Sequence, residues 1–186
     1  MPSFIKMKKD IEKFVEIPPE IEVEINKNKV KMKSKEKELS KEFNIFNIKI
    51  EKKENKIIVS SKNATRRESK MIGTIIAHLK NMIKGLTEGF TYKLEICYVH
   101  FPMTVSIEGN EVIIKSFFGE KIPRKAKILP EANVEINGNQ IIVTSHNIEA
   151  AGQTAANIEK ATKLKGRDRR IFQDGIFITE KPKGKI

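Results

Sequence analysis

Through most of the chain apolar and polar residues alternate with a period of two, and this is broken twice by a helical period. Val23 and Ile25 fall on one face and Glu22 and Glu24 on the other, so this segment reads as a half-buried strand. A turn at Asn26-Lys27-Asn28-Lys29 makes it the first arm of a hairpin. Phe90 to Phe101 reads as a long strand, with Tyr92, Leu94, Ile96 and Tyr98 alternating against Lys93, Glu95 and Cys97. The first helical stretch is apolar at Met71, Ile72, Ile75, Ile76, Leu79, Met82 and Ile83, a continuous core-facing stripe. Thr65-Arg66-Arg67-Glu68 has capping-box spacing, so the pattern predicts a helix from about 66 to 84 that stops at Gly85. In the second, Ala151, Ala155, Ile158 and Thr162 share a face, with Asn147 as N-cap, Glu149 in the first turn and Gly166 as the stop. A helix with Ala where the other has Met and Ile either approaches its sheet closely or leaves its outer face to a partner.

The pattern occurs twice. Val23, Ile25, Asn28, Val30, Met32 and Ser34 are matched 82 residues later by Val105, Ile107, Asn110, Val112, Ile114 and Ser116. Residues 55–61, Asn-Lys-Ile-Ile-Val-Ser-Ser, are matched 84 residues later by Asn-Gln-Ile-Ile-Val-Thr-Ser, and a helix follows each. Two copies do not make a solenoid; they make two domains of one fold. The fold class is therefore α+β, two tandem copies of a small antiparallel or mixed β-sheet packed by one helix. The expected division is an N-terminal domain over 1–86, a C-terminal domain over 87–178, and a basic tail over 179–186 that is disordered by itself. The strand from Phe90 is read as a bridge between the copies.

Charge changes the picture next. The 186 residues carry a formal net charge of +12, which points to a polyanionic partner. Residues 1–84 hold 21 Lys and Arg against 12 Asp and Glu, whereas residues 85–186 hold 15 against 12. The charges of the first half are dispersed along strands, and those of the second are clustered. Only a clustered set can neutralise adjacent phosphates, so clustering outweighs the total. No apolar run approaches the ~18 residues of a membrane span, and the N-terminus lacks the apolar core of a signal peptide. The single Cys97 excludes an internal disulfide and fits a reducing compartment, so a cytoplasmic protein without membrane contact is expected.

Catalysis finds no support. His78, His100 and His146 lie far apart in sequence and read as surface or capped residues, Cys97 as a small packing residue. No phosphate-loop or dinucleotide glycine pattern occurs, and no cofactor or small-molecule substrate is expected. Lys27, Lys29, Lys31, Lys33, Lys35 and Lys37 recur at every second position. They read as an RNA-facing stripe or, in preference, as partners of Glu22 and Glu24 across the hairpin. The segment Lys121-Ile122-Pro123-Arg124-Lys125-Ala126-Lys127 is a loop with four cations and no acid, open to both phosphate binding and plain solvation. Lys160, Lys163, Lys165, Arg167, Arg169 and Arg170 face only Asp168. The helix dipole accounts for Lys160 and Lys163 but not for arginines beyond Gly166, whose planar forks suit phosphate and base contact.

Gly152-Gln153-Thr154-Ala155-Ala156-Asn157-Ile158-Glu159, followed by residues 167–178, Arg-Asp-Arg-Arg-Ile-Phe-Gln-Asp-Gly-Ile-Phe-Ile, resembles the large-subunit ribosomal protein L-six family in its archaeal and eukaryotic branch. Residues 82–90, Met-Ile-Lys-Gly-Leu-Thr-Glu-Gly-Phe, His100-Phe101-Pro102-Met103, Phe117-Phe118-Gly119-Glu120 and Pro123-Arg124 extend the resemblance over nearly the whole chain. It implies a structural constituent of the large ribosomal subunit whose C-terminal domain holds rRNA near the sarcin–ricin loop and the factor-binding centre, beside ribosomal proteins at the stalk base. The expected RNA contacts are Lys163, Lys165, Arg167, Arg169 and Arg170, joined by Lys160, Arg124, Lys125 and Lys127, with Gln153 as a polar contact. The branch often carries Tyr at the position of Phe177, so no contact through that hydroxyl is expected here. A free nucleic-acid-binding module and a protein–protein adaptor working through the N-terminal domain are the alternative classes.

Overall fold

The computed structural model describes residues 9–34, 37–44, 46–168 and 170–182, with the backbone of 184–185. Lys35 and Arg169 lie outside the described residues. The chain divides into two compact units, Met1–Glu88 and Gly89–Ile186. In the first, β1 (Lys9–Glu16), β6 (Lys56–Ala64) and β5 (Lys49–Lys53) form one sheet in the order β1-β6-β5; β2 (Glu22–Asn26), β3 (Lys29–Ser34) and β4 (Lys37–Glu42) form another in sequence order. Helix α1 (Arg66–Thr87) packs on both. In the second, β8 (Thr104–Glu108), β9 (Glu111–Lys115) and β10 (Arg124–Lys127) repeat the hairpin sheet. The strands β7 (Phe90–Cys97), β11 (Ala132–Asn137), β12 (Gln140–Ser145), β13 (Gly175–Lys181) and β14 (Gly184–Lys185) form a sheet ordered β11-β12-β7-β13-β14, with α2 (Ile148–Ala161) across it. Every pairing is antiparallel.

The repeat therefore runs β1 to α1 and β7 to α2. The strand from Phe90 is not a bridge but the opening strand of the second copy, equivalent to β1: β1 pairs with β6 as β7 pairs with β12. Sequence comparison missed this because the exposed, charged β1 and the buried β7 carry different side chains. The tail expected from residue 179 is also strand as far as Lys181, paired with Gly184.

Three departures separate the copies. Lys29 pairs with Glu42, 13 positions on, and its counterpart Glu111 pairs with Lys127, 16 positions on. The β9–β10 connection is thus three residues longer, and it holds the Phe117–Gly119 turn. The second departure is helix length. Gly85 does not stop α1 but lies buried within it, and the helix runs on to a cap at Glu88. Helix α2 ends at Thr162, the counterpart of His78, well before Gly166. Thr162 is buried; its hydroxyl donates to the Glu159 carbonyl (3.2 Å) and accepts the N–H of Ile176 (2.9 Å), which turns the chain off the helix. The third is β13, which covers the edge of β7 that in β1 is bare among the described residues.

The helix faces follow their sequences. Ile72, Ile75, Leu79, Met82 and Leu86 are buried on α1, each fully buried Leu or Ile side chain contributing about 1.5–3 kcal/mol. The capping box is formed: Thr65 Oγ1 accepts the N–H of Arg67 and contacts the Glu68 carboxylate, which accepts the Thr65 N–H at 2.9 Å. On α2, Ala151, Thr154, Ala155 and Ile158 are buried, and a Cβ at Gly152 would stand 3.0 Å from the Tyr92 hydroxyl. The small residues thus serve close approach of helix and sheet.

The hairpin turns show the duplication in backbone terms. Lys27 (φ 49°) matches Gly109 (φ 60°), and Glu54 (φ 47°) matches Gly138 (φ 60°). Each is left-handed, and only the second copy places glycine there. Nothing lies within 4 Å of a Cβ at Gly109 or Gly138, so the cost of a side chain is purely conformational. Gly109→Lys and Gly138→Glu should each destabilise the second domain by about 1 kcal/mol. Lys27→Gly and Glu54→Gly should be neutral or stabilise the first. Thermal unfolding of the full chain checks this, at roughly 4–8 °C per kcal/mol for domains of this size.

Candidate nucleic-acid interface

The end of α2, the segment after it and the β9–β10 connection enclose a groove of about 720 Å3. Arg124, Lys125, Lys160, Lys163, Lys165 and Arg167 line it, with Phe118, Ala161 and Leu164 as its apolar part. The two basic clusters, some 35 positions apart in sequence, thus meet at one place. The only acid among the lining residues is Glu120, and it is bound: Arg124 Nε and Nη2 donate to its two oxygens at 2.8 and 2.6 Å. Those hydrogen bonds hold the Glu120 carboxyl below its ordinary pKa.

The cations differ in what they already hold. Arg124 stacks 4.3 Å above the centre of the buried Phe117 ring, and its Nη1 donates to the Ala161 carbonyl (2.8 Å) at the end of α2. Its fork is committed inside the protein, closing the helix C-terminus. Lys125 pairs with Glu111 at 3.2 Å. Arg170 folds back on Asp168 at 2.8 Å, lowering that carboxyl below its ordinary pKa, and does not line the groove. Lys160, Lys163 and Lys165 are exposed and no acid pairs with them among the described residues. Since α2 stops at Thr162, Lys163 and Lys165 lie beyond the helix, not on its last turn.

Arg167 is placed by aromatic rings. Its guanidinium carbon lies 4.8 Å from the centre of Phe118 and 5.0 Å from that of Phe172. Phe118 and Phe172 meet edge to face at 5.6 Å, and His100 packs against both, at 5.6 and 5.3 Å. Phe118 sits in the left-handed region (φ 54°), as does Ser116 before it (φ 59°). Such backbone costs an ordinary side chain on the order of 1–3 kcal/mol and persists only where the surroundings over-determine it.

Asp174 holds the cluster together. It stands just before Gly175 at the start of β13 and is 2 % exposed. Oδ1 accepts the N–H groups of Val99 (2.8 Å) and His100 (3.0 Å), and Oδ2 lies 2.6 Å from His100 Nδ1. Burial pushes this carboxyl's pKa up, but the His100 N–H, the His100 ring and the Val99 N–H together outweigh it and hold the carboxyl below its ordinary value. Neither the burial of Asp174 nor its bond to His100 was legible in sequence, since 74 positions separate them, although each falls in a run that carries the family resemblance. Gln153 and Lys127 lie off the groove lining. Asn157 joins them, accepting from Gln153 Nε2 (2.8 Å) and donating to the Lys127 carbonyl (3.0 Å).

In the first domain the lysines of the stripe do not line a single strand. Lys27 is in a turn, Lys29, Lys31 and Lys33 lie on β3, and Lys37 belongs to β4. Lys33 stands opposite Glu22, Lys31 opposite Glu24, and Lys31 forms an ion pair with Glu38 at 3.6 Å.

Fold and site together define a duplicated α+β protein with a basic groove at the end of its second helix. The family model described as ribosomal protein L6 matches residues 17–89 and 101–175, one segment per copy. A protein of Methanococcus vannielii named large ribosomal subunit protein uL6 is 49% identical over 176 residues, covering 95% of this chain and 96% of its own length. Proteins of the same name from Methanosarcina mazei and Sulfurisphaera tokodaii are 44% and 48% identical, covering 94% and 90% of this chain and 99% and 90% of their own lengths. The chain belongs to the ribosomal protein L6 family, a family of structural, non-enzymatic proteins.

Replacing Asp174 by Ala should cost about 3 kcal/mol, because it leaves buried donors without an acceptor. The pH dependence has a definite sign. A carboxyl depressed in the folded state stabilises above its unfolded pKa of about 3.9, and that contribution fades as pH falls through the folded value. The difference between native chain and variant, read by denaturant unfolding, should therefore be full at pH 7 and shrink below pH 4.

Proposed function

We propose that the chain is a structural component of the large ribosomal subunit and that its second domain binds large-subunit rRNA through the basic groove. The convergence of six cations from two separate segments on one groove, with its single acid already bound, carries this reading. The names of its relatives support the subunit. Lys160, Lys163 and Lys165 act as point charges on phosphates, and Arg167, held against Phe118 and Phe172, offers a planar fork. Lys125 adds a charge shared with Glu111. Arg124 positions the end of α2 and the Phe117 turn rather than meeting RNA first. Arg170 exchanges Asp168 for a phosphate on binding, Arg169 extends the same run, and Gln153 and Lys127 flank the groove along α2. The bound rRNA is the region of the sarcin–ricin loop and factor-binding centre, with ribosomal proteins of the stalk base as neighbours.

The chain should co-sediment with large subunits through a salt wash. Binding of large-subunit rRNA should weaken about a thousandfold between 50 and 200 mM salt, as release of counterions from roughly six phosphates requires. Lys163→Ala, Lys165→Ala and Arg167→Ala together should make that salt slope shallower by up to about three contacts while thermal stability changes little. Arg124→Lys should do the reverse, lowering stability with little change of slope, since it breaks a fork committed inside the protein. An unchanged slope in the triple variant would move the RNA face elsewhere.

A further inference from the structure

We infer that the outer edge of β1 is a docking site for an extended segment of a partner protein, alternately apolar and basic, that adds to the sheet as an antiparallel strand. The duplication shows what such an edge takes. The N–H of Ile17 donates to the Asn55 carbonyl at 2.7 Å, and the N–H of Ile96 donates to the Asn139 carbonyl, its counterpart, at 2.8 Å. Val15 pairs with Ile57 as Leu94 pairs with Ile141, so the two opening strands are in the same register. On the far side of β7 lies β13, with Ile178 opposite Leu94 and Ile176 opposite Ile96. On the far side of β1 no strand pairs among the described residues.

The chemistry of the missing strand follows from what β1 presents. Since the Ile17 N–H points toward Asn55, and backbone groups alternate along a strand, Glu12, Phe14 and Glu16 direct their N–H and C=O groups outward. The register with β6 is unbroken from Ile11 to Glu16, so this alternation holds throughout. The side chains of Glu12, Phe14 and Glu16 share one exposed face, with Phe14 57 % exposed. Its counterpart Lys93 is ion-paired to Glu180 of β13 at 2.8 Å. From the β6 side Lys56 already lies 4.8 Å from the centre of the Phe14 ring and pairs with Glu16 at 3.7 Å; on the open side Glu12 favours Lys or Arg across from it, and the row as a whole takes a cation beside Phe14. On the opposite face Val15 and Ile17 belong to the core with Leu79, Met82 and Leu86 of the longer helix α1. That face favours apolar residues, as Ile176 and Ile178 supply for β7. The charges of β1 and the irregular register at Lys9 and Ile11 guard the edge against indiscriminate pairing, which makes the match selective.

The inference rests on membership of the large subunit, and its test separates the two. Backbone hydrogen exchange is measured on the full chain, free and assembled into salt-washed large subunits. The amides of Glu12, Phe14 and Glu16 should exchange fast in the free chain and at least about tenfold more slowly in the subunit. A photoreactive phenylalanine analogue at Phe14 should crosslink to an extended segment of another protein. Phe14→Pro removes one outward N–H and leaves the pairing with β6; it should keep the fold by circular dichroism and co-sediment, yet lose the protection at Glu12 and Glu16. Equal exchange in both states, slow exchange already in the free chain, or a crosslink to RNA or to a second copy overturns the inference. Failure of the unaltered chain to co-sediment overturns the reading beneath it, and is seen before any exchange is measured.

Discussion

The basic site hangs on one buried carboxylate. A charge taken out of water costs several kcal/mol unless hydrogen bonds replace its hydration, and Asp174 finds that replacement in two backbone N–H groups and an imidazole at the end of β7. This fixes where the chain re-enters the sheet as β13. Phe172, two residues earlier, is thereby set against His100, and Phe118 closes the group from the β9–β10 connection. Arg167 then has two ring faces to rest on. A loop of like charges would otherwise repel itself into open solvent. Here its apolar side chains and one acid hold it, while the lysines stay free to turn outward.

The copies share a frame and differ where the second has a surface to present. The longer β9–β10 connection and the early stop of α2 shape the groove, and the segment that leads into the added β13 reaches it through Phe172, which supports Arg167. They depend on one another. Had α2 continued as α1 does, no turn would follow Thr162, and the segment carrying Lys163 to Arg167 would be helix. Without the longer connection there would be no Phe118 to support Arg167. The first copy keeps the longer helix and instead buries Leu79, Met82 and Leu86.

The frame was legible in sequence because hydrophobic period and turn residues are local properties. The 82- and 84-residue offsets, both helix faces and the turn at Lys27 come from patterns a few residues long. What was not legible is either long-range or conditional. Gly85 and Gly166 have the same local stop signal, yet one is inside a helix and the other four residues beyond one. What decided was tertiary: Leu86 still has core to cover, while Thr162 meets the N–H of Ile176. The clusters at 121–127 and 160–170 were found as clusters, but which cations were free was not. Arg124 is one of the contacts expected of its segment, and its fork is already held by Glu120 and the Ala161 carbonyl.

The same distinction explains why the more highly charged half is not the better candidate for RNA. In the first domain cations face acids on neighbouring strands or one helical turn away: Lys31 with Glu38, Lys56 with Glu16, Lys84 with Glu88. Exposed pairs of this kind add little to stability, but they cancel the field at short range, and beyond a Debye length of about 8 Å at physiological salt an unpaired excess is screened. What a phosphate meets is the charge within that radius, not the sum over a domain. Around the groove the lysines at 160, 163 and 165 stand together with Arg167, and the one acid in its lining is already turned toward Arg124. Residues 85–186, of net charge +3, can therefore offer a denser local set of cations than residues 1–84, of net charge +9, because the fold brings two short basic segments to the same helix end.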